Sequence, residues 1–93
     1  MQGESILLEA ERLTSEDRNE TYGHPLDNFS RAAAIWSAIL GIEVTAEQVA
    51  LCKIAMKMAR EVHQHGHDNL IDIAGYARTL QMVIDERARR MSK

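Results

Sequence analysis

Hydrophobic and polar positions recur with a helical period along most of this 93-residue chain. In the segments 6–13, 26–40 and 69–91, apolar residues return every three or four positions with polar residues between them. That spacing is typical of amphipathic α-helices. Alternating β-branched or aromatic residues, which would indicate strands, are scarce. The pattern predicts an all-α protein, a single helical domain over residues 1–93 built as a bundle of about four helices.

The segment 45–63 has a different pattern, because apolar side chains cover all but one sector of its helical wheel. Lys53, Lys57 and Arg60 fill the remaining sector and form one basic stripe. A helix that is apolar nearly all round is typically buried among other helices. We therefore predict that this is the central helix and that the basic stripe faces either carboxylates of a neighbouring helix or a phosphorylated ligand.

Residues with special backbone roles predict where the helices begin and end. Thr45 and Gln48 have the spacing of a capping box at the start of the central helix. Gly41 is a suitable C-terminal cap for the preceding helix, which starts after the turn-like segment 22–25. Asp68 is expected to cap the final helix.

Composition and charge exclude several classes of partner. The chain has 14 acidic and 11 basic residues and a formal net charge of −3, so we expect no general attraction for DNA, RNA or anionic membranes. No signal peptide or membrane-spanning run is recognisable. Cys52, the only cysteine, lies on the apolar part of the central helix, which suits a reducing compartment. We expect a cytoplasmic protein. Because so short a chain is near the lower limit for a self-sufficient core, we also expect a homo-oligomer.

Two polar segments are expected to be solvated. His63, His65 and His67 alternate around a helix-terminating glycine. This pattern favours a turn over a metal site, which stays the less favoured alternative. The tail 86–93 alternates charges and is expected to be a solvated helix end.

Acidic residues of the final helix form a candidate counterpart to the basic stripe. Asp68, Asp72, Gly75 and Thr79 fall on one line of that helix, and a short loop makes it an antiparallel neighbour of the central helix. Arg60 is then expected nearest to Asp68 or Asp72. The two sets of charges either form internal salt bridges or hold a ligand, with the cations on phosphate and the aspartates on a base, a ribose or a divalent ion. Gly75 suggests close approach of a ligand or another helix.

The remaining candidate ligand-binding residues are aromatic or polar. Tyr22 and Tyr76 either stack on a base or close the core. His24 and Asn28 could supply polar specificity, and Arg18 could reach the same site. No motif places a serine or cysteine beside His24, so we assign no catalytic residue.

Several motifs together carry a resemblance to a known family. They comprise Arg18, the YGHP run at 22–25 with Asn28 and Phe29, the segment 49–60, and above all DNLIDIAGYA at 68–77. With these motifs the chain resembles a family of small helical proteins of phages and prophages whose function is unassigned, over roughly residues 6–82.

More distantly, the helical layout is similar to that of MazG-like nucleotide pyrophosphohydrolases. Those enzymes hold magnesium with a Glu-Glu-x-x-Glu cluster on one helix and a Glu-x-x-Asp pair on the next. Here the central helix carries cations instead, which favours holding phosphates over hydrolysing them. The chain is also similar in size and helicity to small phage oligomers that sequester signalling nucleotides of bacterial immunity.

Three hypotheses follow. The leading one is a phage-type oligomer that binds a small phosphorylated or cyclic nucleotide without turning it over, as an anti-defence protein would. The alternative is a magnesium-dependent pyrophosphohydrolase using Asp68 and Asp72 with acids recruited from another subunit, and only this alternative implies a cofactor, Mg²⁺. The third is a structural or protein-partner module.

Overall fold

The chain folds into α-helices throughout the part that the structure describes. The computed structural model describes residues 5–15 and 23–92, and these contain no β-strand. Their four helices are α1 (Ile6–Leu13), α2 (Pro25–Leu40), α3 (Ala46–His63) and α4 (His67–Met91). The predicted all-α class is confirmed.

Two of the helix ends have the predicted physical basis. At the start of α3, the Thr45 side chain accepts a hydrogen bond from the Gln48 backbone N–H, and the Gln48 side chain accepts one from the Thr45 N–H. At the end of α2, Gly41 has φ +72°, a left-handed conformation that costs glycine little. A third cap was not predicted: His24 caps α2, since its Nδ1 accepts a hydrogen bond of 3.0 Å from the Leu26 N–H.

The helix around which the others pack is α4, because α1, α2 and α3 all contact it. A single apolar cluster lies where α2, α3 and α4 meet. Its buried members are Leu26, Phe29, Ala33, Ala46, Val49, Ala50 and Val83. Helix α1 packs against α4 and buries Ala10 there.

The prediction that α3 is the most buried helix is wrong. Its buried residues are confined to its first two turns, at Ala46, Val49 and Ala50. The opposite side of the helix is exposed, with Leu51 52 % and Val62 87 % accessible to solvent. The amino-acid pattern of an almost wholly apolar helix does not indicate which side meets the core, and here the packed side is the one that carries Lys53 and Lys57.

The last helix differs from the prediction at both ends. It begins at His67 with Gly66 as its cap, so Asp68 lies in the first turn and caps nothing. Its far end is not a free solvated tail. Arg87 donates two hydrogen bonds of 2.9 Å to Glu47, and Arg90 donates two to Asp27, at 2.7 and 3.0 Å.

These ion pairs follow from the length of α4. Its 25 residues span about 37 Å, which carries the helix past the starts of α2 and α3. Asp27 and Glu47 lie in the first turns of those two helices, where acidic residues are favoured by the helix dipole. The hydrogen bond from Arg90 lowers the pKa of Asp27, and the one from Arg87 lowers the pKa of Glu47. The end of α4 is therefore tied to both helices.

Within the described ranges, no helix has the length and apolar character needed to cross a membrane.

Candidate functional site

A cavity of about 90 Å³ opens between α1, the start of α2 and the first half of α4. It is lined by Ala10, Leu13, Thr14, Gly23, Pro25, Asn28, Phe29, Ile71, Asp72, Gly75, Tyr76 and Thr79. None of these residues belongs to α3. The cavity brings together Asn28, Asp72 and Tyr76, three of the ligand-binding candidates predicted from the sequence, although the first is more than 40 positions from the others.

Two hydroxyl groups in the cavity wall are committed to internal hydrogen bonds. Thr14 donates to the Ala10 carbonyl at 2.8 Å and accepts from Arg78 Nε at 2.9 Å. Thr79 donates to the Gly75 carbonyl at 2.9 Å. By contrast, the amide of Asn28 and the hydroxyl of Tyr76 form no side-chain hydrogen bond with another described residue. These two groups can therefore supply hydrogen bonds to a bound molecule.

Asp72 is the charged member of the wall, and its partner comes from α3. Lys57 Nζ lies 2.8 Å from Asp72 Oδ2, with the Lys57 side chain 19 % exposed and the Asp72 side chain 35 % exposed. This pair corrects the expectation that Arg60 lies nearest to the aspartates. Helix α3 places Lys57 on its α4 side, whereas Arg60 lies one turn later on an exposed part of the helix.

The other predicted charges do not join the cavity. Arg60 and Asp68 are exposed and Lys53 is half-buried, and none of the three forms an ion pair with a residue in the described ranges. Of the predicted internal salt bridges between the basic stripe and the aspartates, the described residues form one, between Lys57 and Asp72. Of the three cations of the basic stripe, Lys57 is the one that pairs with a residue of the cavity wall, Asp72.

Gly75 lies in the cavity wall where α4 passes the end of α1. A Cβ atom at this position would be 3.5 Å from Thr14 Cγ2, an ordinary van der Waals contact. The end of α1 therefore passes Gly75 at a distance that would accommodate an alanine, and the missing side chain leaves room in the cavity.

His24 has a structural environment outside the cavity wall. Its Nδ1 is occupied as the cap of α2, and its Nε2 lies 4.0 Å from Glu86 Oε1. Because Nδ1 accepts a hydrogen bond in this arrangement, the proton of the neutral ring is on Nε2, facing the carboxylate. Hydrogen bonds from Arg89 and Arg90 hold the pKa of Glu86 at about 2, so the group facing His24 is a carboxylate above that pH.

The histidine run forms a turn organised by Glu61. This carboxylate accepts hydrogen bonds from the Gly66 N–H at 3.1 Å and from Asn69 Nδ2 at 3.2 Å, and it contacts His65 Nδ1. The bond to His65 is the main cause of the lowered pKa of Glu61. In the described part of the chain no three histidine, cysteine or acidic side chains are close enough to hold a metal ion together.

That finding bears on the magnesium-dependent alternative. Asp72 is paired with Lys57 and Asp68 is exposed. The described residues of one chain therefore do not assemble the carboxylate cluster that a magnesium–triphosphate site uses. Such a site would need acids from elsewhere.

Two of the predicted candidates, Arg18 and Tyr22, lie outside the described residues. The residues lining the cavity that sequence reasoning missed are mainly apolar or small, among them Ala10, Ile71 and Thr14. Thr14 has no sequence signal, because its place in the wall depends on how α1 crosses α4.

Comparison with known proteins identifies the family. Residues 5–84 match the model of a family described as a domain of unknown function (DUF6378), and the chain belongs to that family. It is 42 % identical over 84 residues to the Gene 55 protein of Mycobacterium phage D29 and 41 % identical over 88 residues to the Gene 55 protein of Mycobacterium phage L5. Each alignment covers 89 % of this chain and 56 % of the relative, so the chain spans about half the length of these curated relatives. No solved structure matches the chain.

These findings confirm the resemblance to a phage family of unassigned function. The distant similarity to MazG-like enzymes stays a prediction.

Proposed function

We propose that this protein binds a small nucleotide without turning it over, with the base held in the cavity between α1, α2 and α4. The observation that carries the proposal is the meeting of Asn28, Asp72 and Tyr76 in one cavity wall. Each of these side chains can form hydrogen bonds with a ligand or stack on it, and the rest of the wall is largely apolar. Pockets with mainly apolar walls and a few polar groups are typical of small-molecule sites.

The chemistry of the wall favours a base inside the cavity and phosphate outside it. Asp72 is an acceptor and repels phosphate, but it can accept hydrogen bonds from the exocyclic amine or ring N–H of a base. Asn28 can donate and accept, and the ring of Tyr76 can stack on a base. The flat ring of a base can also lie against Phe29, which lines the same cavity.

Lys57 is the residue we expect to contact phosphate. It is paired with Asp72 through one of its three donors, so two N–H groups remain for an anion at the cavity edge. Lys53, one turn earlier on the same stripe, adds a second cation. The role of Arg60 in phosphate binding stays a prediction.

We propose binding and not hydrolysis because of the chemistry of these side chains. Asn28, Asp72 and Tyr76 can recognise a base, and Lys57 can hold a phosphate. For a member of a family found in phages, binding without turnover fits the sequestration of a host signalling nucleotide.

The test is native mass spectrometry with a panel of mono-, tri- and cyclic nucleotides in the presence of Mg²⁺. We expect one panel member to bind intact, and Asp72→Asn to weaken that binding about 10-fold or more, as expected for loss of a charged hydrogen bond. Asp85→Asn is the matched control, because Asp85 is exposed on the same helix and outside the cavity. It should bind as the wild type does.

A second comparison separates base from phosphate. Lys57→Met should weaken binding of the nucleotide but not of the corresponding nucleoside. Equal losses for both would refute the phosphate role of Lys57. A cleaved product would favour the hydrolase alternative, and no adduct across the panel would refute nucleotide binding.

A further inference from the structure

The outer side of α3 is an exposed surface without charge. Its larger members are Leu51, Met56, Met58 and Val62, and its small members are Cys52, Ala55 and Ala59. All seven are exposed, and together they cover about half of the helix circumference. The solvent-facing side of a helix normally carries charged and polar residues, and a contiguous apolar face of this kind typically marks an interaction surface.

We propose that the partner is a second copy of this chain, with the two α3 helices packed antiparallel about a twofold axis at Ala55. Ala55 lies in the middle of the uncharged face, both along the helix and around it. In this pairing Leu51 lies level with Ala59 of the second copy, and Met58 lies level with Cys52 of the second copy. These two levels, next to the axis, each combine a larger side chain with a smaller one.

This alternation is what makes the face complementary to itself. A twofold interface uses the same surface on both copies, so every bulge must meet a recess of that same surface. Ala55 meets its own equivalent at the axis, which permits helix axes about 8 Å apart, at the close end of helix packing. The face carries no charge, so superposing it on a second copy creates no like-charge repulsion.

The first test is the mass of the protein in solution, measured by light scattering after gel filtration. We expect twice the chain mass of 10.5 kDa for the wild type and the single chain mass for Ala55→Glu, which places two carboxylates at the axis. Because Ala55 is exposed, the variant should keep its helical circular dichroism. Ala77→Glu makes the same substitution at an exposed position of α4 and should remain dimeric.

The second test fixes the orientation of the two helices. In the double variant Cys52→Ser, Ala55→Cys, the new thiols meet at the axis, and oxidation should give a covalent dimer on a non-reducing gel. In this pairing Cys52 lies level with position 58 of the second copy, so the two native Cys52 residues are offset by six residues, about 9 Å along the helices. That separation is beyond the 7 Å between Cα atoms that a disulfide can bridge, so the wild type should not cross-link.

Either of two results would overturn the proposal. One is a monomeric wild type at concentrations of tens of micromolar, which would leave the face for another protein. The other is efficient cross-linking of the wild type through Cys52, which would bring the two Cys52 residues level with each other and contradict the antiparallel pairing about Ala55.

Discussion

Replacing Gly75 by alanine tests the cavity without removing any interaction. Gly75 lies inside α4, and a glycine in a helix interior costs about 1 kcal/mol relative to alanine. The added methyl would lie 3.5 Å from Thr14 Cγ2, which is an ordinary contact and not a clash. The substitution should therefore raise the free energy of unfolding by about 1 kcal/mol, or about 4–8 °C in Tm for a domain of this size.

The same methyl should impair ligand binding. The methyl would take up part of the 90 Å³ cavity, because Gly75 forms part of its wall. A base that fills the cavity would then no longer fit beside Asn28 and Tyr76. We expect Gly75→Ala to be more stable than the wild type and to lose the nucleotide-induced rise in Tm.

Thermal unfolding with and without nucleotide measures both effects in one assay. Ala77→Gly is the matched control, because it makes the reverse exchange at an exposed position of α4 outside the cavity. It should lower stability by about 1 kcal/mol and leave the nucleotide-induced shift intact. A less stable Gly75→Ala protein would show that the backbones of α1 and α4 need the glycine, and an unchanged nucleotide shift would show that the cavity is not the site.

Three further predictions concern the stability of the helical bundle. The hydrogen bonds from Arg89 and Arg90 hold the pKa of Glu86 at about 2, below its ordinary 4.5. Their contribution to stability should therefore be complete above pH 4.5 and fall as the pH drops toward 2, and Glu86→Gln should flatten that part of a urea-unfolding series. Val49→Ala should lower the free energy of unfolding by about 2 kcal/mol, because it empties a fully buried site, as a drop in the urea midpoint will report. A double-mutant cycle with Glu47→Gln and Arg87→Met should give a coupling energy of about 0.5–1 kcal/mol, since the pair is partly exposed, and no coupling would mean that it does not tie α4 to α3.

Local sequence signals were sufficient for the helices and most of their ends. The capping box of Thr45 and Gln48 and the left-handed Gly41 each depend on a few neighbouring residues. Their energetics are the same in any helical protein, so the sequence predicts them. The start of α4 was misplaced because Gly66 caps through the backbone alone, which frees Asp68 from that role.

The orientation of α3 could not be predicted, because it depends on which surfaces meet in three dimensions. An apolar side chain indicates that a position is buried, but not whether residues of the same chain or of another chain bury it. An almost wholly apolar helix is central only if its own chain buries every side of it. The long-range pairs of Arg87 and Arg90 were missed for a related reason, since they depend on how far α4 extends past the starts of α2 and α3.

Part of the candidate site was predictable because the chemistry of its residues is unusual for their positions. Asp72 and Gly75 stand out on a helix that otherwise packs, and both line the cavity. The sequence predicted that Lys57 faces either an acidic helix or a ligand. It contacts Asp72 of the acidic helix, and that contact also keeps it beside the cavity. The apolar remainder of the wall carries no such signal, since Ala10 or Ile71 looks the same in a core as in a ligand site.

The cavity and the uncharged face of α3 lie on different sides of the molecule. Every residue lining the cavity lies outside α3, and Lys57 reaches Asp72 from the side of α3 opposite to Ala55. The proposed ligand site is therefore complete within one chain, and the proposed dimer would carry two independent sites. Ala55→Glu should yield a monomer that binds the same nucleotide with wild-type affinity and a stoichiometry of one per chain, as titration calorimetry can measure. A monomeric variant that no longer binds would show instead that the second copy completes the site, whereas a dimer that holds only one nucleotide would show that the two sites are coupled.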